Sequence, residues 1–318
     1  MTEFELIERY FRRPTTSALL GVGDDCALLE VPAGEALAVS ADTLVEGRHF
    51  FADVDPRALG HKCLAVNLSD LAAMGATPRW FTLCLTLPAA NESWLADFAA
   101  GLLALADQQR IALVGGDTTR GPLSISIQVM GSLPAGQALR RDQARPDDDI
   151  WLSGEIGAAA LAVGARYGKY RLPASVARGC EQRLDWPEPR LALGLALRGI
   201  ARCGLDISDG LVADLGHICK ASGLGAELDW NCLPHALASA SELDLPTIEQ
   251  AVLAGGDDYE LCFTAAPAQR SVIEALAPAL GLRLSRIGRM VPGRDVQVFR
   301  AGQAIRPALR GFDHFGQS

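Results

Sequence analysis

The sequence has no unbroken apolar run of about 18 residues, the minimum for a membrane-spanning helix, and no N-terminal charged-then-apolar stretch of the kind that marks a secretory signal. Both absences predict a cytoplasmic protein with no membrane partner. It has no Lys/Arg block either, and 29 Lys and Arg against 38 Asp and Glu leave a net charge of −9. Such a surface repels a phosphate backbone, which argues against a nucleic-acid partner. No Cys-x-x-Cys pair occurs, so zinc and dithiol redox chemistry lack their usual spacing. The eight cysteines, Cys26, Cys63, Cys84, Cys180, Cys203, Cys219, Cys232 and Cys262, stand singly in apolar segments and are expected to be reduced packing residues.

Nucleotide motifs are also missing. There is no G-x-x-x-x-G-K-[ST] loop and no protein-kinase H-R-D or D-F-G set. Gly21-x-Gly23 is not a dinucleotide fingerprint, because that motif must open a helix and the residues after it read as β. Low-complexity segments and short-period repeats are lacking as well.

What is present is a chain of 318 residues, 49% hydrophobic and 21% charged, long enough for two globular domains. Residues 3–13 have the spacing of a short amphipathic helix. Ala27–Val31 and Ala36–Ser40 read as strands joined by Pro32-Ala33-Gly34. Asp55-Pro56 is a helix start, with Asn67 and Asp70 on one face and Leu64, Leu68 and Leu71 toward the core, ending at Gly75. Trp80–Leu87 reads as strand and Ser93–Gln109 as helix. Ile111–Val114 reads as a strand ending in the turn Gly115-Gly116-Asp117, and Leu123–Gly131 as a half-buried strand.

The polar segment LRRDQARPDDD marks a domain boundary, giving an N-terminal domain 1–145 and a C-terminal domain 146–318. In the second domain Ile150–Ser153 reads as strand, followed by a glycine-rich turn into a helix. The segment RLPASVARGCEQRLDWPEP reads as irregular. Arg190–Cys203 reads as helix, GLDIS as strand, DGLVADLGHICKASG as helix and AELDW as strand. Thr247–Ala254 is helical, Tyr259–Thr264 is a strand, Arg270–Leu280 is helical, and two short strands close the domain. Alternating strands and helices make the class α/β (α+β).

Aspartates recur where apolar runs stop: Asp25, Asp42, Asp70, Asp117, and Asp206 with Asp209 in DISDGL. Singly these are ordinary turn and cap residues. Converging, two carboxylates about 5 Å apart repel by roughly 3 kcal/mol at an effective dielectric of about 20, so the set would require cations. An all-oxygen donor set selects Mg²⁺ or Mn²⁺ over zinc, and Mg²⁺ commonly shares its shell with substrate phosphates. The glycine joints Gly115-Gly116, Gly154/Gly157, Gly210 and Gly255-Gly256 would admit phosphates to main-chain N–H groups, and Arg141 would pair with one. Each of these also has a bland reading, as a plain turn or a solvated charge.

Seven blocks in order, GVGDDCALL, SADTLVEGRHF, AVNLSDLAAMGATP, VGGDTTRGPLSISI, LDISDGLVADLGHICKASG, GGDDYELCF and GFDHF, resemble the thiamine-monophosphate kinase family over essentially the whole chain. That family lies in the ATP-binding superfamily that includes aminoimidazole ribonucleotide synthetase and selenophosphate synthetase. The resemblance implies a two-domain fold whose N-terminal domain, for ATP and Mg²⁺ binding and dimerisation, forms a β-barrel across a homodimer. It also implies a C-terminal α/β domain that adds phosphate- and substrate-binding residues. The implied reaction is transfer of the γ-phosphoryl group of ATP to thiamine monophosphate, with several Mg²⁺ ions. The implied metal ligands are Asp25, Ser40, Asp42, Asp70, Asp117, Asp206 and Asp209, with Asp70, Asp117 and Asp209 carrying the catalytic charge. ATP would meet Gly116, Asp117, Arg141 and Ser208; thiamine monophosphate would meet His49, Asp257 and Phe312.

Three positions depart from the family pattern. Ala41 replaces a usual Thr, Asp257 replaces a usual Glu, and Leu309 stands at the usual C-terminal Trp. Rival readings are a superfamily member with another acceptor and a nucleotide- or metal-binding module without turnover.

Overall fold

The computed structural model describes residues 2–235 and 243–305. Phe312 and Leu309 lie outside the described residues. The chain divides into two compact units, one of residues 1–71 and 76–137, the other of residues 72–75 and 138–318. No helix among the described residues is long and apolar enough to cross a membrane.

The first unit opens with α1 (Glu3–Leu6), capped by Thr2 and widening into a π-turn over Ile7–Phe11. Its sheet holds β1 (Glu35–Val45), β2 (Thr77–Leu87), β3 (Ala112–Arg120) and β4 (Ser124–Pro134) in the order β1-β4-β2-β3. β4 runs antiparallel to β1 and β2, and β2 runs parallel to β3. Two helices supply the crossovers, α2 (Pro56–Ala73) and α3 (Glu92–Gln109). Asp55 starts α2 as expected, its carboxylate accepting Arg57 N–H at 2.7 Å. Leu64, Leu68 and Leu71 are buried with Leu95, Phe98 and Leu102 of α3.

The second unit has a seven-stranded sheet of β5 (Asp149–Ser153), β6 (Cys203–Asp206), β7 (Gly225–Asp229), β8 (Leu261–Ala265), β9 (Leu284–Val291), β10 (Val296–Arg300) and β11 (Gln303–Ile305). The order is β11-β10-β7-β9-β5-β8-β6. Every residue of β5, β8 and the terminal strand β6 is buried, so this end of the sheet is covered on both faces. Among the described residues six α-helices accompany the sheet: α4 (Ala158–Arg166), α5 (Ala174–Asp185), α6 (Leu191–Ala196), α7 (Leu211–Ser222), α8 (Leu245–Ala254) and α9 (Arg270–Leu280).

Several expectations need correction. Ala27–Val31 is no strand; beyond a lone bridge between Leu20 and Leu28 it lays Ala27, Leu29 and Val31 onto Trp80, Val114 and Met130. The apolar alternation was genuine, but it packs side chains rather than pairing backbone. Asp42 and Asp117 do not end strands. They sit inside β1 and β3, where ladder pairing overrides the low strand propensity of Asp and Gly. The segment read as irregular contains α5, which buries Cys180 and Leu184 four residues apart. The helix expected over Arg190–Cys203 stops at Ala196, because Gly199 takes φ 73° and Cys203 already belongs to β6. Among the described residues three strands, not two, follow α9. All eight cysteines are free, but Cys26, Cys84 and Cys232 are exposed and so are not packing residues.

Candidate active site

In the first unit, β1 and α2 bring three of the expected oxygen ligands together. Ser40 and Asp42, two residues apart on a strand, project to one face. Ser40 Oγ donates to Asp70 Oδ2 at 2.5 Å. Asn67, one helical turn before Asp70 and fully buried, accepts Asp42 N–H at 3.0 Å and donates to Cys63 O at 2.9 Å. It thereby ties the β1 backbone to α2 beside the two carboxylates. Ala41 alternates to the other face, so its methyl does not displace a side-chain ligand from this group.

The remaining first-unit residues stand apart from that cluster. The strand register places Asp117 in a row with Cys84, Ser126 and Thr43, while Asp42 shares the neighbouring row with Ile127, Leu83 and Gly116. Three strand spacings, roughly 14 Å, separate β1 from β3. Asp117 and Gly116 are exposed. Gly116 has φ 151°, and a Cβ there would run into Leu83 O, so only Gly permits this close approach of β2 and β3. Asp25 is exposed, its N–H donating to Asp24 Oδ1 at 2.9 Å. His49 Nδ1 accepts Val45 N–H at 3.0 Å, which places the proton of the neutral ring on Nε2.

In the second unit, three loops at the ends of β5, β6 and β8 meet. Asp206 is buried at the end of β6, and the chain then turns through Ile207, Ser208 and Asp209 to Gly210, which opens α7. Asp214, in the first turn of α7, takes the N–H groups of Ser208, Asp209 and Gly210 on one carboxylate oxygen at 3.0–3.1 Å. Burial pushes its carboxyl up to about 6, against the pull of those donors.

The loop 255–260 lies directly on this turn. Asp257 N–H donates to Ser208 O at 2.9 Å and Tyr259 N–H to Ile207 O at 2.8 Å. A Cβ at Gly256 would strike Ser208 O, so the contact depends on glycine. Asp258 accepts Gly157 N–H, at the start of α4, on both oxygens at 2.9 and 3.0 Å. Desolvation holds its carboxyl well above the usual range. Arg141 is exposed, with its main-chain oxygen accepting Ser222 Oγ at 2.8 Å.

Gly115-Gly116-Asp117, expected as a turn, is thus part of strand β3, whereas Gly255-Gly256-Asp257 is a loop. Among the described residues no three His, Cys, Asp or Glu side chains are grouped closely enough to hold a metal ion by themselves. Sequence reasoning missed Asn67 as a ligand-bracing residue, and also Asp214, Asp258 and Glu260. The signal for Asp214 was its place four residues after Gly210, where a carboxylate reaches back to helix-opening N–H groups.

Residues 23–133 match the model for the N-terminal domain of AIR synthase related protein, and residues 145–300 match the model for its C-terminal domain. The thiamine-monophosphate kinase of Salmonella typhimurium is 45% identical over 318 residues, covering 98% of each chain. The crystal structure of thiamine-monophosphate kinase from Stenotrophomonas maltophilia K279a superimposes with a TM-score of 0.85 at 48% identity, covering 95% of this chain and 96% of that one. A structure of AaThiL complexed with AMPPCP and TMP gives a TM-score of 0.78 at 29% identity, over 90% and 89% of the two chains. With both domain models matched in order and near-complete coverage at this identity, the chain belongs to the thiamine-monophosphate kinase family.

Proposed function

We propose that the protein transfers the γ-phosphoryl group of ATP directly to thiamine monophosphate, giving thiamine diphosphate and ADP. The observation that carries this reading is the 45% identity over 98% of both chains with a thiamine-monophosphate kinase. The AaThiL complex with AMPPCP and TMP supports the same pair of ligands.

The residues suit such a reaction. The acceptor is a phosphate oxygen already anionic near neutral pH, so the task is to align two anions and screen their charge, with no general base needed. His49, whose Nδ1 is held by Val45 N–H, accordingly serves as a binder of thiamine monophosphate together with Asp257. ATP meets Gly116 and Asp117 on the exposed rim of β3, the guanidinium of Arg141, and Ser208. Ser40, Asp42 and Asp70, with Asp25, Asp117, Asp206 and Asp209, offer only oxygen donors, which fits Mg²⁺. Bound there, Mg²⁺ would neutralise charge developing on the transferring phosphoryl group. In a coupled assay with ATP and Mg²⁺, ADP release should depend on thiamine monophosphate and stop when the metal is chelated. Release at the same rate without the acceptor would overturn the reading.

The reading includes a cytoplasmic homodimer whose first domain, 1–145, closes a barrel with its copy, while 146–318 brings phosphate- and substrate-binding residues. β1 supports it, being an edge strand of the sheet with Leu37 46% and Val39 52% exposed. An apolar edge of this kind is normally paired, and a symmetric partner is the common solution. Light scattering at micromolar concentration should give a dimer mass, and Val39→Asp should shift the mass toward the monomer. A wild-type monomer would exclude the barrel.

A further inference from the structure

Glu260 is completely buried, yet its carboxylate is saturated with donors. Oε1 accepts from Arg190 Nη2 at 2.5 Å and Arg183 Nη2 at 3.2 Å. Oε2 accepts from Arg190 Nε at 2.7 Å and Ser153 Oγ at 2.6 Å. Four donors fill the acceptor sites of a carboxylate, and the two-pronged Arg190 fixes its plane as well as its place. Buried ion pairs are weak contributors to stability compared with apolar substitutes of the same volume. A group held this fully fixes geometry.

The geometry it fixes is that of the loop just before it. Glu260 O accepts Ile207 N–H at 2.9 Å, continuing the contacts that Asp257 and Tyr259 make to Ser208 and Ile207. Asp257 and Tyr259 have φ 65° and 51°, a left-handed backbone that side-chain-bearing residues keep only where their surroundings enforce it. Tyr259 Oη donates to Asp257 Oδ1 at 3.2 Å and so aims that carboxylate. Ser208, on the facing turn, has its own anchor in Asp214.

We propose that Glu260 is a positioning residue for the acceptor: clamped by Arg190, Arg183 and Ser153, it holds the Asp257–Tyr259 turn in its strained form and so places Asp257 for thiamine monophosphate. This rests on the reading of Asp257 as an acceptor-binding residue. Ser208 also touches this loop, its main-chain oxygen accepting Asp257 N–H, but it keeps a second anchor in Asp214, so loss of the clamp falls more heavily on the acceptor than on the nucleotide. A polar but uncharged Gln at 260 takes away the buried charge that Arg190 and Arg183 share, leaving Arg190 its exposed partner Glu188, and lets the turn relax.

The test compares Glu260→Gln, Ser153→Ala and Asp257→Asn by steady-state kinetics in both substrates, with melting temperature followed in parallel. Misplacing a binding group by about 1 Å costs up to about 100-fold, so Glu260→Gln should raise KM for thiamine monophosphate by about 10- to 100-fold. KM for ATP should stay within about threefold, because Ser208 retains its Asp214 anchor and the other proposed ATP contacts, Gly116, Asp117 and Arg141, lie outside this loop. Ser153→Ala removes one of the four donors and should raise the acceptor KM in the same selective way but less. It decides the matter if Glu260→Gln does not fold. A lowered melting temperature with both KM values unchanged, or both KM values raised together, would overturn the positioning role. If Asp257→Asn raises the acceptor KM and the clamp variants do not, the inference alone fails. If Asp257→Asn leaves it unchanged, the assignment of Asp257 fails and takes the inference with it.

Discussion

Replacing Asp70 or Asp209 by Asn is expected to lower kcat by about 10²–10³-fold, on the scale of losing one donor that stabilises developing charge. The Asn side chain keeps the shape and one oxygen, so Asp70→Asn preserves an acceptor for Ser40 Oγ, and stability should change little. What is lost is a formal negative charge, which only a bound cation needs. Groups that act as one unit are strongly non-additive. On the proposed reading, in which both residues serve the bound Mg²⁺, the double variant should therefore be little slower than the slower single variant. Near-normal turnover of Asp209→Asn at limiting Mg²⁺ would reduce that residue to a turn former and divide the proposed catalytic set. Multiplicative losses in the double variant would mean two independent roles.

Asp214→Ala should act on stability and turnover together. Its carboxylate serves three successive N–H groups, of which that of Gly210 is buried and those of Ser208 and Asp209 half-buried; a buried donor deprived of its partner costs about 1–3 kcal/mol, so a total loss of about 2–3 kcal/mol is expected. Chemical denaturation would measure it. The turn carrying Ser208 and Asp209 would also lose its shape, so kcat should fall even in the folded fraction. Asp214→Asn separates charge from hydrogen bonding. All three donors point at a single oxygen, which the amide carbonyl can supply, and burial already disfavours the charge enough to push this carboxyl up to about 6. The Asn variant should thus remain within about 1 kcal/mol of wild type. If it is as unstable as the Ala variant, the charge itself holds the turn.

Much of this protein was legible in its sequence. Asp55-Pro56 as a helix start and Arg270–Leu280 as a helix follow from caps and apolar period, which are local properties of the chain. The family was legible too, because seven blocks follow one another in its order over essentially the whole chain. Asn67 and Asp70 on one helical face needed only the 3.6-residue repeat.

Other features were decided only by contacts distant in sequence. The strands run on through Ser40-Ala41-Asp42 and Gly115-Gly116-Asp117 because neighbouring strands satisfy their backbone, which no propensity of Asp or Gly reveals. Residues 27–31 look like a strand and instead cover Trp80, because alternation specifies an apolar face without specifying what meets it. Glu260 reads as the charged end of an apolar run. Only folding brings Ser153, 107 residues earlier, and Arg190, 70 residues earlier, to its carboxylate. The sequence by itself determined which chemical groups are present, the local helices and the family. The tertiary structure decided which carboxylates face water and which are clamped, because burial and hydrogen-bond partnership belong to the packed chain and not to any stretch of it.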